Sequence, residues 1–260
     1  MKLGVNIDHI AVLKAARRVG DPDTLQAVYV AAQNGADQIT IHLREDRRHI
    51  DDYDAERIVQ NSPIAVNMEC ALNESVLEIV AAFAPARVTL VPEKREEVTT
   101  EGGLDAANNG DRLKNAVAKL RDRSVAVSLF IEPSEAQIDA AQEAGADMVE
   151  FHTGRYANLW AMLNGNLART PYAPAEFAAL DRRALLEALK AETKRLRAAA
   201  VVAHEAGLSV AAGHGLNYHN VGAIAKMAHI EELNIGQSIV ARSVWVGLAQ
   251  AVGEMRELLR

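Results

Sequence analysis

The chain has 260 residues, 49% apolar and 24% charged, and its 28 basic and 35 acidic side chains leave a net charge of −7. That composition excludes a disordered chain, and without a basic stripe it excludes nucleic acid as a main partner. The single cysteine, Cys70, permits no internal disulfide, and no apolar run approaches the roughly 18 residues of a membrane span, so the expectation is a cytoplasmic chain away from membranes. Asp8, His9 and Lys14 also interrupt any signal-peptide core.

Taken in chain order, short apolar runs alternate with amphipathic ones. Residues 3–8 read as a strand ending Asn6-Ile7-Asp8-His9. A loop with Arg17 and Arg18 follows, then a helix over 23–34 with Asp23 as its N-cap. A strand over 38–43 runs into His42-Leu43-Arg44 and the loop residues Arg47, Arg48 and His49. A helix over 53–61 precedes a strand over 64–70 that carries Asn67 and Glu69. A helix over 73–83 and a strand over 87–93 come next. The polar stretch at about 92–110, with Thr99, Thr100, Gly102 and Gly103, is too long for a simple connection and is expected to be a lid. Then come a helix over 111–123, a strand over 125–132, a helix over 134–144 and a strand over 148–154 bearing Glu150 and His152. An insertion at about 155–183 leads to a long helix over 183–206. A strand over 209–215, a short helix over 221–228, a strand over 232–236 and a helix over 238–259 close the chain.

A short phrase recurs at helix ends: Asn34-Gly35-Ala36-Asp37, Ala144-Gly145-Ala146-Asp147 and Ala206-Gly207-Leu208. Each places Gly where a helix stops and positive φ is needed. Eight repeats of strand and helix in one chain, with no linker between them, predict an α/β fold: a single (β/α)₈ barrel domain over 1–260. A doubly wound open sheet fits less well, because no Gly-x-Gly-x-x-Gly turn follows the first strand.

Chemistry in such a barrel sits at the carboxyl ends of the strands. Alternation puts Thr40, His42 and Arg44 on one face, Asn67 and Glu69 on another, and Glu150 and His152 on a third. Glu93, Glu132 and His214 end further strands, so acids and imidazoles would share one bowl. Gly213-His214-Gly215 and Asn234-Ile235-Gly236-Gln237-Ser238 stand where backbone N–H groups and a helix N-terminus form a phosphate cup. Arg17, Arg44 and His49 offer a second anion grip. Two such grips suit two phosphorylated substrates or one bisphosphate.

At this point long motifs carry a resemblance. Gly4-Val5-Asn6-Ile7-Asp8-His9-Ile10, Ile41-His42-Leu43-Arg44-Glu45-Asp46-Arg47-Arg48-His49-Ile50 and Val91-Pro92-Glu93-Lys94-Arg95 are similar to those of the pyridoxine 5′-phosphate synthase family. Phe151-His152-Thr153-Gly154, Ala212-Gly213-His214-Gly215-Leu216 and Glu232-Leu233-Asn234-Ile235-Gly236 continue it over almost the whole chain. The resemblance implies a synthase that condenses 1-deoxy-D-xylulose 5-phosphate with 3-amino-2-oxopropyl phosphate. The products are pyridoxine 5′-phosphate, phosphate and water, in the last ring-closing step of de novo vitamin B6 biosynthesis. It implies no metal or organic cofactor, and a homooctamer built as a tetramer of dimers. By motif, His42 and Glu69 would be proton acceptors and His214 the proton donor. Asp8, His9, Arg44, His49 and Thr99 would contact the xylulose phosphate; Asn6, Arg17, Gly215, Gly236 and Gln237 would hold the amino-ketone phosphate. Gln237 stands where the family commonly has histidine, so its backbone N–H is the implied contact.

Three other readings stay open on the residues alone. One is a metal-dependent barrel with His42, Glu69, Glu132, His152 and His214 as ligands, although Asp8 and His9 are adjacent rather than one residue apart. Another is a Schiff-base aldolase using Lys94. The third is a sugar-phosphate sensor without turnover.

Overall fold

The computed structural model describes residues 1–93 and 102–260. Eight parallel strands close into a barrel in chain order. They are β1 (Lys2–Asn6), β2 (Gln38–His42), β3 (Ala65–Ala71), β4 (Arg87–Val91), β5 (Ala126–Ile131), β6 (Met148–His152), β7 (Ser209–Gly213) and β8 (Glu232–Ile235). The last strand pairs with the first, Leu233 opposite Leu3, which closes the sheet.

Period-2 alternation decides what each strand presents to either side. Ile39 and Ile41, Val66 and Met68, and Val149 and Phe151 are buried under the helices, each large side chain contributing about 1.5–3 kcal/mol. The opposite faces fill the barrel with polar groups. At its amino end Arg87 pairs with Glu232 and donates to Gln38 Oε1 at 2.7 Å. Higher up, Thr89 donates to Asn67 at 2.8 Å and Asn234 to Glu150 at 2.7 Å.

The covering helices are α1 (Asp8–Arg17), α2 (Thr24–Gln33), α3 (Asp52–Asn61), α4 (Glu74–Phe83), α5 (Gly110–Arg121), α6 (Glu135–Ala144), α7 (Gly154–Asn164), α8 (Ala175–Ala178), α9 (Arg182–Glu205), α10 (Val221–Ala225), α11 (Gln237–Val246) and α12 (Leu248–Leu258). Asp23, Asp51, Asn73 and Asp181 each accept a backbone N–H at a helix start. Gly35, Gly145 and Gly207 take φ of 108°, 80° and 81°, as the repeated phrase requires. Among the described residues no helix is long and apolar enough to cross a membrane.

Four expectations need correcting or bounding. The stretch after β1 is a helix, not a loop: Asp8 sits in the first turn of α1, Lys14 and Arg17 in the last, matching the helix dipole, while Ile10 and Ala11 are buried. Asp8 and His9 therefore open α1 instead of ending β1. The insertion is ordered: α7 and α8 pack on α9 around Leu159, Met162, Phe177 and Leu185. The closing helix is two helices, broken at Gly247 with φ 81°. Of the expected lid, residues 94–101, including Lys94, Thr99 and Thr100, lie outside the described residues. The chain resumes pinned to the barrel, with the Leu104 N–H donating to the Phe130 carbonyl at 2.7 Å.

Candidate active site

The carboxyl ends of the strands open into one cavity of about 450 Å³. Of the residues to which the resemblance gives a role, all but Arg17 and Thr99 line it, whereas the strand-end residues Glu93, Glu132 and His152 stand behind its lining. Arg17 is exposed at the far end of α1, nine helical residues or about 13 Å from Asp8. Thr99 falls in the stretch that is not described.

On the wall formed by β1 to β4, direct hydrogen bonds set the geometry. Asp8 Oδ1 accepts the His42 backbone N–H at 2.9 Å, and its Oδ2 accepts from Asn6 Nδ2 at 2.8 Å. The His42 ring then lies between two carboxylates: Nε2 is 2.8 Å from Glu93 Oε1, and Nδ1 is 3.7 Å from Glu69 Oε2. Burial alone would lift the Glu93 pKa. Hydrogen bonds from His42 and the Glu45 amide, with the nearby Arg44 charge, instead hold it below the usual carboxylate range.

The floor behaves oppositely. Burial first, then the charges of Glu150 and Asp8, push Glu69 well above the ordinary carboxylate range. Burial lifts Glu150 to about 7, with Glu232 adding and the bond from Asn234 and the Arg87 charge opposing. Both buried carboxyls therefore hold a proton more tightly than an ordinary carboxyl does. Gly213 makes room for the arrangement, because a Cβ there would collide with Glu150 Oε1.

The wall of β5 to β8 rests on rings and backbone. His214 follows β7 with φ 77°, a left-handed conformation. The Thr153 hydroxyl, 2.6 Å from the Gly213 carbonyl and 2.7 Å from that of His214, holds it there. Its ring lies 4.9 Å from His152 and 6.3 Å from Phe130, centroid to centroid. Burial, then the His152 charge, lowers its pKa to about 4. Beside it, Gly236 caps α11, and Ser238 donates to the Leu216 carbonyl at 2.8 Å, tying the two loops together. First-turn N–H groups have no acceptor within their own helix, so this end can receive an anion. His9 and His49 complete the rim; burial lowers the pKa of both against the Asp8 charge.

The sequence placed Glu93 and Glu150 in the bowl and Asn234 in the phosphate cup, but gave none of them a partner: Glu93 pairs with His42, and Asn234 donates to Glu150 on the floor. Glu93 and Glu150 did carry a signal, since both were polar groups at strand ends. Asn234 shares the inward parity of Gly236. Phe130 had no polar mark to reveal it. Among the described residues no group of three or more His, Cys, Asp or Glu side chains could hold a metal ion.

The profile of the family Pyridoxal phosphate biosynthesis protein PdxJ matches residues 3–260. A pyridoxine 5′-phosphate synthase of Nitratiruptor sp. is 56% identical over 259 residues, covering 100% of this chain and 97% of its own. That of Sulfurimonas denitrificans is 55% identical over 258 residues, covering 99% of both chains. The solved structure of a 3-hexulose-6-phosphate synthase covers 100% of both chains with a TM-score of 0.60 at 17% identity, which is a likeness of fold.

Proposed function

Because the chain belongs to the family Pyridoxal phosphate biosynthesis protein PdxJ and is an enzyme of ring-closing pyridoxine 5′-phosphate synthesis, we propose that His42, Glu69 and His214 move the protons of that condensation. The substrates in this reading are 1-deoxy-D-xylulose 5-phosphate and 3-amino-2-oxopropyl phosphate. The observation that carries it is the His42 ring between Glu69 and Glu93, in the same cavity as a phosphate cup beside His214.

The amine of one substrate attacks the ketone carbon of the other. A proton leaves nitrogen and one reaches oxygen, giving a carbinolamine, and expelling that oxygen as water leaves an imine. Glu69, whose buried carboxyl holds a proton more tightly than an ordinary one, gives it to the departing oxygen and later takes one from carbon. His42, 3.7 Å away, exchanges with it and is backed by Glu93. With its pKa lowered to about 4, His214 is uncharged near neutrality. A phosphate dianion on the first turn of α11 favours its charged form, which then protonates leaving oxygen. Held together, the two reactants gain up to about 7–11 kcal/mol from proximity.

Asp8, His9, Arg44 and His49 form the xylulose-phosphate side of the bowl in this reading, and Asn6, Gly215, Gly236 and Gln237 the amino-ketone side. Thr99 belongs to the first set and Arg17 to the second. A lid over the bowl between 92 and 110, work in the cytoplasm without metal, and assembly as a homooctamer complete the reading. Exposed Val244 and Trp245 on α11 suit an apolar contact between copies. The test mixes both phosphates with pure, chelator-treated protein. Pyridoxine phosphate absorbance and released phosphate are expected; neither appearing would overturn the reading.

A further inference from the structure

Behind the β5 to β8 wall stands a chain of groups that the reaction above leaves unused. His152 ends β6, and its Nδ1 lies 2.7 Å from Oε1 of Glu132, one residue past β5. Arg195 of α9 donates to the other Glu132 oxygen at 3.1 Å and to Glu192 at 2.7 Å. Glu192 is buried, and Arg155 of α7 lies 3.7 Å from it and 5.0 Å over the Phe177 ring. Glu132, Arg155, Glu192 and Arg195 line a second cleft of the molecule. The ordered insertion is thereby tied to one imidazole.

That imidazole leans on His214. The two rings are 4.9 Å apart and tilted by 60°, and Phe130 packs on both. Gly154 supplies the space: a Cβ there would lie 2.5 Å from His152 Nε2 and 3.2 Å from His214 Cδ2. A carboxylate on Nδ1 keeps the hydrogen on that nitrogen and fixes the ring plane, as carboxylate–histidine pairs do elsewhere. His214 itself has its backbone held by Thr153, while its ring meets the rings of His152 and Phe130.

We propose that Glu132 and His152 are a positioning pair for His214, fixing the plane of its ring and tuning its affinity for a proton from behind. The proposal rests on the reading of His214 as the proton donor beside the phosphate cup. The titratable and charged groups around His214 are His152 and Glu150 of β6 and Glu69 of β3. Behind His152 come Glu132 after β5, Arg195 and Glu192 of α9 and Arg155 of α7; β8 presents the neutral Asn234. Burial and the neighbouring imidazole both disfavour a proton on His214. Removing the imidazole leaves burial alone, so proton affinity must rise.

The test follows the His214 ring C–H signals against pH by NMR in the full-length protein and in His152→Gln, with His214→Gln giving the assignment. The midpoint is expected to rise from about 4 in the wild type, staying below about 6.5, the ordinary imidazole value. In the same variant kcat falls about tenfold with both KM values within about threefold, less than the roughly 10²–10⁴ lost with a transfer group itself. Glu132→Gln keeps an acceptor at a partly exposed position and lowers kcat alone in the same way, which decides the matter should His152→Gln not fold. An unmoved His214 midpoint in a folded His152→Gln protein, or wild-type kcat in Glu132→Gln, overturns the proposal. Undiminished kcat in His214→Gln would overturn only the donor reading, because the titration does not depend on turnover.

Discussion

His42 and His214 stand on two walls of one bowl in opposite surroundings. His42 is wedged between Glu69 and Glu93, with its backbone N–H held by Asp8. His214 has rings beside it, and burial strips it of its proton to about pH 4. In the proposed reading, the imidazole among carboxylates relays protons directly with its acidic neighbours. In the same reading, the one among rings gains its proton when an anion binds beside it. The residue type is the same, and the neighbours assign the work.

The largest expected effect tests the carboxylate wall. Glu69→Gln keeps the shape and removes the exchangeable proton, so kcat should fall about 10³-fold, within the range for a general acid–base group. Phosphate release with both substrates saturating is the measurement. A loss under tenfold would move the chemistry away from His42 and Glu69. The ring wall should suffer less. His214→Gln removes one donor but leaves the backbone N–H groups of Gly215 and α11, so a fall of about 10² in kcat is expected. Equal losses in the two variants would erase the distinction between the walls.

The strand and helix pattern was legible because burial repeats regularly: Ile39 and Ile41 outward, Thr40 and His42 inward, glycine at helix stops. Helix α1 was not, because its segment has few buried residues and Asp8 continues the strand polarity in sequence. The insertion hid its helices because its core is small and closes on a distant partner, Leu185. In the site, strand-end parity marked His42, Glu69 and His214. It could not reveal that Glu93 reaches His42 from two strands away, or that Glu132 holds His152. Those pairings depend on strand order and register around the closed sheet.

The floor between the walls gives a pH-dependent test. Glu150 has a folded pKa of about 7 against an ordinary 4.5. Between these values the folded chain keeps a proton that the unfolded chain has lost. Its stabilising share is therefore complete below pH 4.5 and is lost as pH rises through 7. Glu69, shifted the same way, adds to the trend. Glu150→Gln has no proton to lose and still offers Asn234 an acceptor. It should match the wild type at acid pH and be more stable by about 3 kcal/mol at pH 8, read from urea unfolding. A stability difference that does not grow with pH would place the Glu150 charge in water rather than under the bowl.

The smallest effect probes the ring wall where it is tightest. Gly154→Ala adds one carbon, 2.5 Å from His152 Nε2 and 3.2 Å from His214 Cδ2. Two opposing terms follow. Alanine favours the helix that begins at this residue by up to about 1 kcal/mol, while overpacking costs about 1–3 kcal/mol. The obstacle is a ring that can tilt, so the cost should fall in the lower half of that range, leaving a net loss of about 1 kcal/mol in urea unfolding. The tilt displaces His214 and leaves the Asp8–His42 bond of the other wall untouched. Protonation of the leaving oxygen should then slow while KM for the xylulose phosphate stays put. A Gly154→Ala protein more stable than the parent with unchanged kcat would mean that the two rings have slack, and that His214 is not positioned by contact.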